Sequence, residues 1–208
     1  AREVDAWYAA SGLDGEIIIV DDGSKDRSPE ILKRLESELP RVRAVTHGKN
    51  QGYGLAIRTG IDAAREDVVG FMDSDGQFKA ADVSILLPHL ETHVFVTGRR
   101  RKRADSAVRS VFGKILGLMN WMVLGLWVRD VNCGMKVFKR DLWTRIRPTH
   151  GVEKLFNTEL FLRLKEAGVP WKTVDVPHYP RTAGNPTGAK LYVIIRMFRE
   201  LSDLHRAK

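Results

Sequence analysis

The sequence holds a single cysteine, Cys133, in 208 residues. An internal disulfide framework is therefore excluded, and the composition fits a reducing compartment. Its six histidines are scattered and no C-x-x-C pair occurs, so no zinc site is expected. No secretory signal is read at the start of the chain. Internal repeats and low-complexity tracts are absent, which removes solenoids and disordered tails. P-loop and serine-elbow motifs are missing too. The longest apolar run, Val111 to Val128, nearly reaches bilayer-spanning length. It carries Lys114, Asn120 and three glycines, so a buried or interfacial helix is expected instead.

What is present is ordinary globular material: 43% hydrophobic and 29% charged residues. The length suits one domain with a substantial core. The formal net charge of +8 is unevenly spread. Arg99 to Arg109, "RRRKRADSAVR", holds six basic residues and one acid. Such a cluster attracts phosphates, whether of a nucleotide, a nucleic acid or an anionic membrane, and it is also the composition of a solvated loop.

Strand and helix patterns alternate along the first half. "EIIIVDD" is a continuous apolar run ending in acids, the mark of a strand buried on both faces. "SPEILKRLESEL" predicts a helix with Ser28 as cap and Pro29 in its first turn. "VRAVTH" predicts a strand, "GYGLAIRTGIDAARE" a helix, "DVVGFMD" a strand, "AADVSILLPHLE" a helix and "HVFVTG" a strand. This rhythm implies a Rossmann-like α/β fold, a mostly parallel sheet flanked by helices. Ligands of such sheets bind at the carboxyl ends of the strands. After Arg109 come the long apolar segment, then "VRDVNCGMKVFKRDLW". A helix "NTELFLRLKEAG", a strand "WKTVDVPHY", a Pro/Gly loop and a basic amphipathic helix to Lys208 complete the chain. Residues 1–98 are expected to bind a nucleotide and residues 99–208 to supply the second substrate's site, both within one domain.

The chemistry concentrates at the strand ends. Asp73 and Asp75 are two residues apart after an apolar strand, so they share one side. They can converge on one hard divalent cation, Mg²⁺ or Mn²⁺, with Gln77 adding an amide oxygen. Alone, "DSDGQ" is also a solvated turn. Asp21 and Asp22 end another strand, where a carboxylate can accept from a nucleobase imide or a ribose hydroxyl; a helix cap would look similar. Gly52 and Gly54 give G-x-G at a strand-to-helix turn. The third small residue of a dinucleotide fingerprint would fall on Ile57, so that fingerprint fails while a tight turn near a ligand remains.

Together "VDDGSKD", "KNQGYGLAIRTG", "DSDGQF", "TGRR", "RDVNCGMKVFKRDL" and "PRTAGNPTGAK" resemble the family 2 glycosyltransferases of the GT-A fold. Within them they look like the polyprenyl-phosphate branch, such as the dolichyl-phosphate mannose synthases. The motifs stand in the family's order and cover nearly the whole chain. The resemblance implies that Asp22, with Asp21, contacts the nucleotide. Asp73, Asp75 and Gln77 hold a metal on the donor's phosphates. Arg99, Arg109, Arg181 and Lys190 bind phosphate. Thr97 and Cys133 replace residues the family writes as serine. The family's first strand, which lies centrally in the sheet, has no counterpart in this sequence.

The resemblance also places the usual general base of hydroxyl-directed members at Asn157, which cannot take a proton, while Glu159 is expected on the helix surface. A phosphate acceptor needs no base. The expectation is an inverting, metal-dependent transferase moving mannose or glucose from a GDP- or UDP-sugar to a polyprenyl phosphate. It would be peripheral at the cytoplasmic membrane face and would not bind nucleic acid. Asp130, in "RDVNCG", is a further candidate near the reacting carbon or beside an arginine. A hydroxyl-directed glycosyltransferase and a basic nucleic-acid-binding module are the rival readings.

Overall fold

A computed structural model describes residues 1–101, 107–151, 155–181, 200–202, 204 and 206. Among them, helix α1 (Arg2–Ser11) ends on Gly12 in the left-handed region, φ 67°, and leads into strand β1 (Ile17–Asp21). Helix α2 (Ser28–Glu38) and strand β2 (Val42–Thr46) follow, then helix α3 (Tyr53–Asp62) and strand β3 (Val68–Met72). Two short 3₁₀ segments, Ala80–Ile85 and Leu87–Glu91, stand where one α-helix was expected. Pro88 in the second of them lacks the amide proton that a continuous helix would need there. Strand β4 (Phe95–Arg100), helix α4 (Ala107–Leu124), strand β5 (Met135–Lys139), helix α5 (Trp143–Ile146), helix α6 (Phe156–Glu166) and strand β6 (Lys172–Val176) complete the order.

The strands form two sheets rather than one. β1 pairs in parallel with β2, and a four-stranded sheet runs β3-β5-β4-β6. In the larger sheet β5 is antiparallel to both β3 and β4, while β6 is parallel to β4. The sheet is thus mixed. β5 comes from "GMKVFK", whose period-2 pattern is interrupted by lysines and reads weakly as a strand. Both β1 and β3 have a strand partner on one side only among the described residues. α3 packs on β1 and on β3 and so joins the two sheets. With one edge unpaired, Ile18, Ile19 and Val20 are only half-buried, short of the burial expected on both faces.

The larger sheet carries the core. On one face Phe95, Phe138, Leu160, Phe161, Ile146 and Trp143 pack together from β4, β5, α5 and α6. Phe95 and Phe138 stack at 5.5 Å between centroids, and Phe161 meets Trp171 edge-on at 5.2 Å. On the other face Val96, Met135, Val137 and Val176 pack against Phe78, Leu86 and Leu90 from the stretch that runs through the two 3₁₀ segments. Each fully buried large side chain contributes about 1.5–3 kcal/mol of transfer free energy. Strand alternation fixes which residues go to which face, and in β5 it turns Lys136 to the aromatic side between Phe71 and Phe161.

Local signals hold with small shifts. Asp26, not Ser28, accepts the exposed amide of the α2 start, from Ser28 N at 3.0 Å. His89 and His93, four residues apart, sit at a 3₁₀ end, and no group of three or more His, Cys, Asp or Glu suited to a metal occurs among the described residues. No helix among them is long and apolar enough to cross a membrane. α4 instead exposes Ile115, Leu118, Trp121 and Met122, with Trp127 just beyond its end.

Candidate active site

Asp73 follows β3 directly and extends its ladder, its amide donating to Gly134 O at 3.1 Å. Gly134 is required there: a Cβ on it would run into the Asp73 carboxylate. The next residues turn sharply, with Gly76 at φ 81°, a conformation glycine adopts without strain. That turn brings Gln77 back under Asp75, whose Oδ1 accepts from Gln77 N at 3.0 Å. Arg181, arriving after β6, closes the group. Its Nη2 lies 2.7 Å from Asp75 Oδ2 and 2.9 Å from Gln77 Oε1. The same segment donates Tyr179 N to Gln77 O at 3.0 Å. Asp75, Gln77 and Arg181 are therefore one constellation, with Asp73 beside it and Arg181 brought from a distant part of the sequence.

Tyr53 ties α3 to it. Its hydroxyl donates to Asp73 Oδ1 at 2.9 Å. Burial raises the Asp73 carboxyl above its ordinary value; Tyr53 opposes this and the neighbouring Asp75 charge adds to it. Burial likewise pushes the Tyr53 phenol well up, reinforced by the Asp73 charge. Beneath lies Lys136, fully enclosed, donating Nζ to Cys133 O at 2.5 Å and lowered to about 8 by burial. Cys133 is raised to about 11, again by burial, which makes it an inert thiol at neutral pH.

The arginine facing this centre is Arg100, not Arg99. Successive strand residues point to opposite faces. Arg99 Nε pairs outward with Asp175 Oδ1 at 2.5 Å. Arg100 turns inward and meets Asp130 with two nitrogens, at 2.9 and 2.6 Å. Asp130 also accepts Arg100 N at 3.0 Å, so it fixes both the backbone and the guanidinium of that residue. Arg100's charge is felt at Asp73 and Lys136.

The end of β1 is arranged differently from the expectation. Both Asp22 oxygens are engaged within the chain. Oδ1 meets His47 Nδ1 at 2.7 Å and accepts Gln51 N at 2.8 Å, while Oδ2 accepts Gly52 N at 2.8 Å. Burial acts to raise the Asp22 carboxyl, and these bonds overcome it and leave it lowered. Asp22 thus builds the turn in which Gly52 takes φ 100° at the head of α3. Asp21 accepts Ser24 N on Oδ1 at 3.0 Å, and its buried Oδ2 has no hydrogen-bond partner among the described residues. Gly54 is buried on the first turn of α3.

Across the site stands α6. Asn157, on its first turn, is 2% exposed, and its amide lies against the Tyr53 phenol. Glu159 is fully buried rather than on the helix surface. Its carboxylate gathers the backbone amides of Thr149, His150 and Gly151 at 2.9, 2.8 and 2.5 Å. Arg109 lies on α4 with its side chain outside the description, and Lys190 lies outside the described residues. Sequence reasoning missed Tyr53, Arg100 and Lys136. The available signals were an aromatic between two glycines and a lysine in register with apolar strand residues.

The fold is an α/β architecture with paired acids at a strand end. Residues 4–146 match glycosyl transferase family 2, and the chain belongs to that family. It is 30% identical over 183 residues to human dolichyl-phosphate beta-glucosyltransferase, covering 77% of this chain and 56% of that protein. It is 28% identical over 179 residues to a Trichomonas vaginalis enzyme of the same description, covering 76% and 53%. Undecaprenyl-phosphate 4-deoxy-4-formamido-L-arabinose transferase of Pectobacterium carotovorum is 29% identical over 197 residues, covering 93% and 58%. The chain therefore spans just over half the length of these curated relatives.

Solved structures share the fold. Mannosyl-3-phosphoglycerate synthase of Rubrobacter xylanophilus superposes with TM-score 0.71 at 21% identity, over 99% of this chain and 68% of that one. Glucosyl-3-phosphoglycerate synthase of Mycobacterium tuberculosis, with Mn²⁺, UDP-glucose and glycerol 3-phosphate, gives 0.64 at 22% identity, over 97% and 76%. The architecture is the GT-A fold.

Proposed function

We propose that the chain is the catalytic part of a glycosyltransferase that moves a hexose, with inversion, from a nucleotide sugar to a polyprenyl phosphate. The observation that carries this is the meeting of Asp75 and Gln77 with the Arg181 guanidinium just past β3, beside the Asp73 carboxylate that Tyr53 holds and that feels the Asp75 charge. Two carboxylates and an amide oxygen fit a hard divalent cation, Mg²⁺ or Mn²⁺, whose remaining positions a diphosphate and water would fill. Bound there, such an ion would stabilise the leaving diphosphate. The protein's own part is charge and position. Asp73 is held by Tyr53, and Gly134 leaves room for its carboxylate. Arg181 is poised over the site, and Arg100 is fixed by Asp130. Arg109 and Lys190 remain candidates for the phosphates, and residues 1–98 and 99–208 for the donor and acceptor halves. The unpartnered Oδ2 of Asp21 makes that residue, rather than Asp22, the candidate for the nucleotide.

The acceptor class follows from what α6 offers. Asn157 cannot take a proton, and Glu159 has its oxygens committed to three backbone amides. A hydroxyl acceptor would find no base in these two residues, whereas a phosphate arrives already ionised. The relatives' names, dolichyl-phosphate and undecaprenyl-phosphate transferases, support a lipid-phosphate acceptor for this chain. The exposed apolar stripe of α4, beside the basic Arg99–Arg109 sequence, supports a peripheral position on the anionic cytoplasmic membrane face.

Calorimetric titration of the chain with UDP and GDP, with and without Mn²⁺, tests the reading. Metal-dependent binding of one nucleotide, lost in Asp75→Ala, is expected. Binding of neither by the wild-type chain overturns it.

A further inference from the structure

Asn157 is buried beside Tyr53, the residue that holds Asp73, and its amide oxygen has no hydrogen-bond partner among the described residues. Ionised Asp73 can only accept, so the single Tyr53 hydroxyl proton points at Asp73 Oδ1, 2.9 Å away. Asn157 lies against the Tyr53 phenol, and the group it can offer the Tyr53 oxygen is its amide NH₂. That orientation leaves Asn157 Oδ1 as a pure acceptor. The oxygen is buried, the residue is 2% exposed, and Oδ1 has no hydrogen-bond partner among the described residues. An acceptor left unpaired in such a place is costly, and a ligand that donates to it recovers that cost.

The chemistry of the missing partner is constrained. An amide oxygen repels phosphate oxygens and accepts O–H or N–H. Asn157 lies beside Tyr53, whose hydroxyl donates to Asp73, on a different element from the paired acids. If the Asp73 end holds a diphosphate, as the proposed function states, the group next to that diphosphate in a nucleotide sugar is the sugar ring with its hydroxyls. We propose that Asn157 is a substrate-binding residue whose Oδ1 accepts a hydrogen bond from one hydroxyl of the donor's hexose, making it a determinant of sugar choice. The inference rests on the nucleotide-sugar reading of the Asp73 site. Water is the other O–H source, and the test separates the two.

The experiment uses the chain with Mn²⁺ and calorimetry. The titrants are the nucleoside diphosphate that binds, its glucose and mannose conjugates, and the four monodeoxy analogues of the tighter conjugate. In the wild type one analogue binds about tenfold more weakly than its parent, since it leaves the oxygen unpaired. In Asn157→Ala that same analogue and its parent bind equally, while the bare nucleoside diphosphate binds as in the wild type. If Asn157→Ala does not fold, Asn157→Ser, shorter but polar, carries the comparison.

Three results overturn the inference. No monodeoxy analogue is discriminated by the wild type, an outcome that needs no variant. The discrimination persists unchanged in the variants, which assigns Oδ1 to water. Or the variants weaken the bare diphosphate as much as the sugar conjugate, which assigns Asn157 to supporting Tyr53 and Asp73 alone. The proposed function survives all three, since it stands on metal-dependent binding of the bare nucleotide. Loss of that binding in the wild type overturns both.

Discussion

Arg181 lies 2.7 Å from Asp75 and reaches Gln77 Oε1 at 2.9 Å, so a protein cation already occupies the oxygens read as metal ligands. The Asp75 carboxylate favours positive charge beside it, and Arg181 provides it from a segment that arrives after β6. A divalent ion and Arg181 therefore compete for Asp75. Arg181→Ala is expected to bind Mn²⁺ alone about three- to tenfold more tightly, a modest gain because the ion pair is partly exposed. Transfer activity falls in the same variant, since the guanidinium is then missing from the phosphates. Manganese paramagnetic resonance on the chain without nucleotide measures the first effect. Weaker metal binding in Arg181→Ala would show that the arginine assists the ion rather than competing with it.

Gly134 and Gly48 give a matched pair. A Cβ at Gly134 collides with the Asp73 carboxylate, whereas one at Gly48 meets nothing within 4 Å. Asp73 is held by Tyr53 and by its own amide and cannot step aside freely. Gly134→Ala is expected to lower metal-dependent nucleotide affinity at least tenfold and to cost about 1–3 kcal/mol in stability, as overpacking does. Gly48→Ala leaves both within error. Thermal melts and calorimetry on the two variants check this, and equal behaviour would remove Gly134 from the site.

The sequence told much about where the site would be and less about how it is wired. Asp73, Asp75 and Gln77 were legible because a strand end followed by small turn formers is a local pattern. Arg181 was legible only through the resemblance, since nothing local connects it to residue 75. Arg99 was named through the resemblance, and a motif inside a basic run does not reveal which of its arginines turns inward. β4's alternation decides the phase, and Asp130, thirty residues on, locks it. Asp22 was read as a ligand contact because a strand-end acid serves caps and ligands alike. Only the amides of Gln51 and Gly52 settle its present use. The alternating α/β order was visible, yet β5's antiparallel direction was not, because direction is set by long-range pairing rather than composition.

The α4 stripe predicts membrane affinity. Trp121 and Trp127 are 53% and 65% exposed, beside Leu118 and Met122. Apolar side chains so exposed gain by entering a lipid interface, and nearby arginines add attraction to anionic headgroups. The Trp121→Glu, Trp127→Glu double variant is expected to reduce co-sedimentation with phosphatidylserine-containing vesicles at least tenfold. Nucleotide binding and the melting temperature stay unchanged. Binding of the wild type weakens with added salt, reporting the basic part. Equal sedimentation of variant and wild type would assign the stripe to another role.

Glu159 predicts a pH dependence of stability. Burial acts to raise its carboxyl, and the amides of Thr149, His150 and Gly151 with the Arg163 charge overcome that and hold it below its ordinary value. A carboxyl lowered by folding contributes stability that is fully present above its unfolded value and is lost as pH falls through the folded one. The wild-type chain should therefore lose this contribution on acidification below about pH 4.3. Glu159→Gln replaces one acceptor oxygen by an NH₂ that faces donating amides. It is expected to cost about 2–4 kcal/mol at pH 7, the range for breaking a buried charged hydrogen-bond network. Urea unfolding from pH 7 to pH 3 should then show the two chains converging as the wild type acidifies, because only the wild type has a carboxylate to lose. Parallel curves across that range would mean that the 149–151 turn is held by packing, with Glu159 an incidental occupant.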